Sequence, residues 1–217
     1  YGEYYEKRWF KSGKKLNGCI ALCDQSVPIG TNLLFAAEGI DNFTFGIEIC
    51  EDLWLPITPG AQLALNGAHI ILNPSASDET VGKSDYRRSL VAVQSAKSIC
   101  GYVYASAGVS ESTTDLVFSG HHIIAEGGTV LAENERFERQ SVITYTEIDY
   151  GKLKFDRSQG HNMAECNIAF SDRYMYTPVA LSEMRTIASE SDTLIRSYAK
   201  NPFIPSDTSE TDRKCRE

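Results

Sequence analysis

The order of apolar segments between residues 43 and 107 places the tightest constraint on the fold. Residues 43–49 alternate apolar and polar side chains, which predicts a half-buried strand, and residues 68–74 form an apolar run of strand length. A helix is predicted from Thr58 to Asn66, because a proline stands near its start and a glycine just past its end. Strand, helix and strand joined by short connections form an α/β unit, so we expect an α/β protein.

The clearest helix pattern begins near Lys83. Apolar residues recur there at spacings of three and four, which predicts one buried stripe, and the polar residues between them are expected to face water. A further strand is predicted directly after this helix, over residues 101–107. The stripe consists of Tyr86, Leu90, Val93, Ala96 and Cys100, and the outward residues are Arg87, Arg88, Gln94 and Lys97.

Shorter strands are predicted on both sides of this unit. Two of them, 19–22 and 29–35, flank Val27 and Pro28. Strands at 121–124 and 130–133 are joined by a predicted hairpin turn at 126–129. Neighbouring residues on a strand point to opposite faces of the sheet. His121 and His122, at the start of the strand 121–124, are therefore not expected to bind one metal ion. Further strands are predicted at 140–149 and 175–182, and the pattern loosens from Tyr150 onward.

The composition excludes several classes of protein. The chain has 217 residues, of which 42% are hydrophobic and 23% charged, as in an ordinary globular domain. Its formal net charge of −8 argues against a nucleic-acid partner, because such proteins normally present a basic face. No signal peptide and no apolar run of membrane-spanning length is visible in the sequence, so we expect no membrane partner and a cytoplasmic location.

The six cysteines are expected to be free thiols, because a chain of this size does not need disulfides for stability. Cys19 and Cys23 stand close together in the sequence. Without a second pair or a nearby histidine, they give only a weak signal for zinc. We therefore expect no metal site.

Cys50 allows two interpretations. A free cysteine at the end of a strand is usually buried and packs as a small apolar residue. A sharp turn from the strand into a helix would instead expose the thiol as a nucleophile and direct the following backbone N–H groups at a developing oxyanion. Glu48, two residues earlier, is expected to point away from Cys50 or to be held by structural contacts.

The residues around this cysteine carry a resemblance to a known family. The segment 48–54, with Pro56 and Pro59, is similar to the nucleophile segment of the nitrilase, or carbon–nitrogen hydrolase, superfamily, and in particular to the glutaminase domains of glutamine-dependent NAD synthetases. The resemblance covers nearly the whole chain. Further similar segments follow in the same order, at residues 1–8, 30–36, 73–77, 102–108, 111–116 and 201–206.

The resemblance implies a fold and a domain organisation. It implies a nitrilase-type α-β-β-α sandwich that lacks its N-terminal strands and helices. Residues 1–180 would form a partial glutaminase domain, and residues 181–217 would form a linker towards an ATP-dependent synthetase domain that this chain does not contain. Segment 201–207 is similar to the connection between these two domains, so we expect the chain to be part of a longer protein.

The resemblance also implies a set of site residues. The family uses a glutamate, a lysine and a cysteine together, and the first two are expected upstream of Tyr1, so this chain alone should be a poor glutaminase. Lys83 would face the α-carboxylate of the substrate. Cys50 would be the catalytic nucleophile, Tyr1, Ser77 and Lys83 would bind glutamine, Glu3 would support the missing lysine, and Glu51 would offer its backbone N–H to the oxyanion.

The implied reaction is hydrolysis of the side-chain amide of L-glutamine through a thioester on Cys50. The ammonia would pass to the synthetase domain of the same polypeptide, which would use ATP and Mg²⁺ to convert nicotinate adenine dinucleotide to NAD. No cofactor is expected in this chain, and self-association into a homo-oligomer is expected from the family. Two alternatives remain at this point: a stand-alone nitrilase-fold amidase, and a nitrilase-like scaffold that has lost catalysis.

Overall fold

The computed structural model describes residues 11–13, 15–38, 42–169 and 175–179, together with 194, 196 and 198. The chain divides into two compact units, residues 1–185 and residues 186–217. In the second unit, the guanidinium of Arg196 donates to the hydroxyl of Tyr198 at 2.8 Å. All described strands and helices lie in the first unit.

The described residues of the first unit form a mixed seven-stranded sheet with the strand order β8-β7-β6-β5-β4-β3-β9, and β1 and β2 form a separate hairpin. The central strands β4, β5 and β6 run parallel, and the strands next to them, β3 and β7, run antiparallel to them. The strands are β1 (Asn17–Leu22), β2 (Gln25–Gly30), β3 (Leu33–Ala37), β4 (Thr44–Ile47), β5 (Ile70–Ser75), β6 (Gly101–Ser106), β7 (His122–Glu126), β8 (Thr129–Glu133) and β9 (Met175–Val179).

Helices cover one face of this sheet. Ile71, Tyr102 and Ala125 lie opposite one another on adjacent strands, share that face and are fully buried. Leu63 of α1 and Val91 of α2 pack into the same apolar cluster, which is the core of the unit. The helices are α1 (Pro59–Leu65), α2 (Lys83–Lys97), α3 (Tyr150–Gln159) and α4 (His161–Ala169), and short 3₁₀ turns lie at Cys50–Trp54 and Val109–Glu111.

This architecture confirms the α/β prediction and most of the predicted elements. α1 begins after Thr58, whose hydroxyl accepts the N–H of Ala61, and it ends before Gly67, which has a φ of 113°. The strands at 68–74 and 101–107, the hairpin turn at 126–129 and the first part of 175–182 are also present. None of the described helices has the length and apolar character that a membrane span requires.

The predicted buried stripe of α2 is wrong. Tyr86 and Val93 are each 54% exposed, whereas Arg87 and Gln94, which were predicted to face water, are buried. The reason is that both polar side chains find partners inside: Arg87 pairs with Glu79, and the amide of Gln94 donates to the hydroxyl of Thr58 at 2.8 Å. Cys100, the last residue of the predicted stripe, is fully buried as expected.

Residues 140–149 do not form the predicted strand. Ile143 and Tyr145 remain 86% and 83% exposed, so the alternating pattern there faces water instead of a second layer. The segment instead leads into α3, where the carboxylate of Asp149 accepts the N–H of Lys152. The prediction that Val27 and Pro28 lie between two strands is also wrong, because both residues lie within β2 and pair with β1.

Two helices, α3 and α4, occupy the region in which the sequence pattern loosens. The guanidinium of Arg157 anchors α3 to the sheet region by donating to the carbonyls of Ala68 at 2.6 Å, Ile99 at 2.8 Å and Ser98 at 3.2 Å. These contacts join residues 58 to 89 positions apart. Contacts over such separations produce no periodic apolar pattern within the helix, so this helix was not predicted.

Candidate active site

Cys50 lies at a sharp turn beyond the end of β4. Its φ of 52° is in the left-handed region, which side chains with a Cβ rarely adopt, and Ile49 before it is extended. The 3₁₀ turn Cys50–Trp54 follows at once, so the predicted turn from strand to helix is present. Cys50 is partly exposed, whereas Cys100 is buried, and burial raises the pKa of the Cys100 thiol to about 12. Of the two interpretations, burial as a core residue therefore does not apply to Cys50.

The side chain of Asn73, on the neighbouring strand β5, holds the backbone of Cys50 from both sides. The N–H of Cys50 donates to Oδ1 of Asn73 at 3.0 Å, and Nδ2 of Asn73 donates to the carbonyl of Cys50 at 3.4 Å. A second restraint comes from within the turn, because the carboxylate of Asp52 accepts the N–H of Ile49 at 2.9 Å. These contacts hold the cysteine in its left-handed conformation.

Asn73 is the last member of a buried chain of hydrogen bonds, the Glu48–Tyr102–Asn73 chain. Nδ2 of Asn73 donates to the hydroxyl oxygen of Tyr102 at 3.0 Å, and that hydroxyl donates to Oε1 of Glu48. The other carboxylate oxygen accepts the N–H of Gly60, in the first turn of α1, at 2.6 Å. The three side chains are at most 1% exposed. Glu48 is thus held by structural contacts, as expected.

Burial shifts the pKa values of two side chains in the Glu48–Tyr102–Asn73 chain. It raises the pKa of Glu48, although the hydrogen bonds from Tyr102 and Gly60 oppose the shift. Burial, together with the nearby charge of Glu48, raises the pKa of Tyr102 far above its usual value. The phenol therefore keeps its proton and remains a donor.

Ser77 and Lys83 lie on the segment that connects β5 to α2. Ser77 is buried, and its hydroxyl accepts from Nη2 of Arg87 at 3.5 Å. The ammonium of Lys83 forms an ion pair with the carboxylate of Asp78. β4 and β5 are parallel neighbours, so this segment and Cys50 both follow carboxyl ends of adjacent strands, where ligands of α/β proteins bind.

The sequence did not reveal the buried network around Arg87. Nη1 of Arg87 lies 2.6 Å from Oε1 of Glu79 and 2.9 Å from Nδ1 of His121. Since Nδ1 accepts from the guanidinium, the proton of the neutral imidazole is on Nε2, which donates to Glu133 at 2.7 Å. Burial lowers the pKa of His121. The network fixes Arg87 beside Ser77. The sequence signal that could have pointed to it is His121, a histidine next to the apolar residues of a predicted strand.

The remaining predicted site residues are placed as follows. Glu51 is exposed in the first turn after Cys50, and Tyr1 and Glu3 lie outside the described residues. Cys19, Cys23, Cys50, Cys100 and Cys166 are free thiols. Within the described part of the chain, no three His, Cys, Asp or Glu side chains are grouped so that they could hold a metal ion.

Comparison with known proteins adds a family to this geometry. Residues 2–157 match the protein family described as Carbon-nitrogen hydrolase. A glutamine-dependent NAD(+) synthetase of Mycobacterium bovis is 34% identical over 223 aligned residues, which cover 100% of this chain and 32% of that protein. The human protein of the same name is 29% identical over 156 residues, covering 67% of this chain and 21% of its own length.

This chain is also similar to a solved structure of a protein with the same name. The crystal structure of a glutamine-dependent NAD(+) synthetase from Cytophaga hutchinsonii aligns with a TM-score of 0.54 and 30% identity, over 65% of this chain and 22% of the other. The chain spans about a third of the length of the curated relatives that match all of it.

Proposed function

Since the chain belongs to the carbon–nitrogen hydrolase family, which supports a hydrolase or amidase role, we propose that it hydrolyses the side-chain amide of L-glutamine with Cys50 as the nucleophile. The observation that carries this proposal is the position of Cys50, a partly exposed residue with a left-handed backbone between a strand and a 3₁₀ turn. A nucleophile in such a turn stands clear of its own strand and can approach a planar amide.

The reaction runs in two steps. The sulfur of Cys50 attacks the amide carbon, the C–N bond breaks, and ammonia leaves with the proton that the thiol gave up. Water then attacks the resulting thioester, which releases glutamate and restores the thiol. The N–H of Cys50 is already bonded to Asn73, so the N–H of Glu51 is the next backbone donor available to the oxyanion.

Proton transfer requires groups other than the neighbouring acids. Glu48 accepts from Tyr102 and Gly60, and Asp52 accepts the N–H of Ile49. We assign proton transfer to the glutamate and lysine of the family pattern. Glutamine itself would contact Tyr1, Ser77 and Lys83, with Glu3 beside the catalytic lysine.

The proposed role of the whole protein follows from its relatives, which are named glutamine-dependent NAD(+) synthetases. Residues 1–180 would be part of the glutaminase domain, and residues 181–217 would lead to a synthetase domain that binds ATP and Mg²⁺. Ammonia released at Cys50 would be consumed there in NAD synthesis. We expect a cytoplasmic homo-oligomer that binds neither nucleic acid nor membranes.

The test uses the full-length gene product, incubated with L-glutamine, and follows ammonia release. Cys50→Ala should abolish release, and the matched Cys19→Ala, at an exposed thiol of the β1–β2 hairpin, should leave it unchanged. Acid quenching during turnover should trap a glutamyl adduct on the Cys50 peptide, detectable by mass spectrometry. If ammonia is released from other amides but not from glutamine, a general amidase replaces this proposal. If no amide is cleaved, a non-catalytic scaffold does.

A further inference from the structure

The hydrogen bonds of the Glu48–Tyr102–Asn73 chain can run in only one direction. Each carboxylate oxygen of Glu48 accepts a hydrogen bond, one from the N–H of Gly60 and the other from the hydroxyl of Tyr102. A carboxyl group that only accepts is ionised. Tyr102 has a single hydroxyl proton and gives it to Glu48, so its oxygen can only accept from Asn73. Asn73 must then turn its amide nitrogen to Tyr102 and its amide oxygen to Cys50.

We propose that Glu48, Tyr102 and Asn73 are positioning residues for the reaction at Cys50, and that the charge of Glu48 decides which backbone N–H faces the substrate. This inference rests on the proposed function, in which Cys50 is the nucleophile. Asn73 occupies the N–H of Cys50 and leaves that of Glu51 for the oxyanion. It also keeps the turn in its left-handed form, because it bonds both the N–H and the carbonyl of Cys50.

Packing alone does not account for this arrangement. Glu48 and Asn73 are 1% exposed and Tyr102 is fully buried, and polar groups in such positions are unfavourable unless each finds a partner. Apolar side chains would fill the same space between β4, β5, β6 and α1 without that demand. The chain instead links the first turn of α1 to the backbone of the cysteine through three side chains that do not touch the reacting atoms.

The substitution Glu48→Gln tests the direction of the hydrogen bonds in the Glu48–Tyr102–Asn73 chain. The N–H of Gly60 still needs an acceptor, so the glutamine would turn its oxygen there and its NH₂ to Tyr102. The hydroxyl of Tyr102 would then donate to Asn73, Asn73 would have to flip, and its NH₂ would face the N–H of Cys50. Two donors would oppose each other at the turn, so kcat for ammonia release should fall about 100-fold while KM changes less than about threefold.

A double substitution separates this mechanism from a general loss of packing. Tyr102→Phe removes the hydroxyl that transmits the orientation, so it should itself lower kcat at least about tenfold. Adding Glu48→Gln to Tyr102→Phe should then lower kcat by no more than about threefold further, because the connection is already cut. Fully additive losses would overturn the proposal. If Glu48→Gln does not fold, Tyr102→Phe decides alone, and an unchanged kcat contradicts the proposal.

A second readout does not depend on glutamine. The rate at which iodoacetamide alkylates Cys50 is measured peptide by peptide in the full-length gene product, with the exposed Cys19 as internal reference. Glu48→Gln should change the Cys50 rate at least about threefold and leave the Cys19 rate unchanged. If the unsubstituted protein releases no ammonia, the proposed function fails, and this rate still tests the positioning. If it releases ammonia and the variants alter neither kcat nor the Cys50 rate, the positioning proposal alone is overturned.

Discussion

The backbone of Cys50 has a φ of 52°, a conformation that costs a residue with a Cβ about 1 to 2 kcal/mol and costs glycine almost nothing. Asn73 opposes this strain by bonding the N–H and carbonyl of the same residue. A cysteine at this position therefore reduces the stability of the turn, and the benefit of the side chain has to lie in what the thiol does.

This strain predicts an unusual order of stabilities. Cys50→Gly should have a higher free energy of unfolding than Cys50→Ala by about 1 kcal/mol, because glycine relieves the left-handed backbone. At Cys166, an exposed position within α4, the order should be reversed by a similar amount, since glycine weakens a helix relative to alanine. Urea unfolding of the four variants measures both differences. The same order at both positions would show that Cys50 is not strained.

His69 predicts a pH dependence of stability. Burial, followed by the charges of Arg157 and Lys154, lowers the pKa of His69 from 6.5 to about 4. The unfolded chain then binds more protons than the folded one between these values, so stability is fully present above pH 6.5 and is lost as the pH falls towards 4.

The variant His69→Phe isolates this effect, because it keeps a ring against Tyr150, which the histidine contacts edge-on at 4.9 Å. The stability advantage of the unsubstituted protein over His69→Phe should be constant above pH 7. This advantage should shrink by about 1 to 2 kcal/mol between pH 6.5 and pH 4. The value is smaller than the full pKa shift would give, because the ring is partly exposed to solvent. A difference that does not vary with pH would contradict the lowered pKa.

Single residues of the site differ in how well the sequence predicted them. The turn at Cys50 was predictable, because the strand pattern ends there and a cysteine follows. Asn73 and Tyr102 were not assigned to it, since their partners are 23 to 54 positions away and are chosen by strand pairing. The signal that could have found them is the amide side chain of Asn73 in the otherwise apolar run of residues 68–74.

At the scale of elements, α2 shows how far an apolar period can be relied on. The pattern predicted a helix that begins near Lys83, as α2 does, but it placed the wrong face inside. The buried face carries Arg87, Gln94 and Ser95 besides Val91. Each of these polar side chains has a hydrogen-bond partner, and those partners lie on other segments or other turns of the helix, which hydrophobicity alone does not reveal.

Two neighbouring arginines on α2 provide a matched comparison. Arg87→Met should lower the free energy of unfolding by at least about 2 kcal/mol, because it removes the shorter of two ion pairs of the buried Glu79 carboxylate and leaves only the contact with Arg136 at 3.4 Å. Arg88→Met should cost no more than about 1 kcal/mol, because the side chain that pairs with Glu133 is 53% exposed. Thermal or urea unfolding distinguishes the two. Equal losses would mean that the Arg87 network is not a unit of stability.

At the scale of the whole molecule, the sheet and the hairpin differ in how firmly their backbones are held. β5 and β6 are each paired on both sides in the middle of the seven-stranded sheet. Within the part of the chain that the structure describes, the β1–β2 hairpin pairs only with itself, and all six residues of β1 are exposed. The sequence predicted both sets of strands in the same way, because strand patterns do not tell which strands become central.

This difference predicts the pattern of amide hydrogen exchange. Amides of β5 and β6 should exchange slowest, near the rate set by global unfolding, and those of β1 and β2 should exchange fastest among the strands. Exchange followed by mass spectrometry on peptides covering 17–30 and 70–75 makes the comparison within one sample. Equal protection of the two would mean that the hairpin unfolds together with the sheet.

The Glu48–Tyr102–Asn73 chain also bears on how sequences of this kind can diverge. Asn73 and Tyr102 lie on neighbouring strands, Glu48 directly follows the next strand, β4, and each of the three side chains bonds at least one of the others. Substitution of one member therefore leaves a buried polar group of another without its hydrogen-bond partner. Related proteins should accordingly keep all three residues or replace all three. In a descendant with no further use for a thiol at position 50, the buried carboxylate would be among the first groups that selection discards.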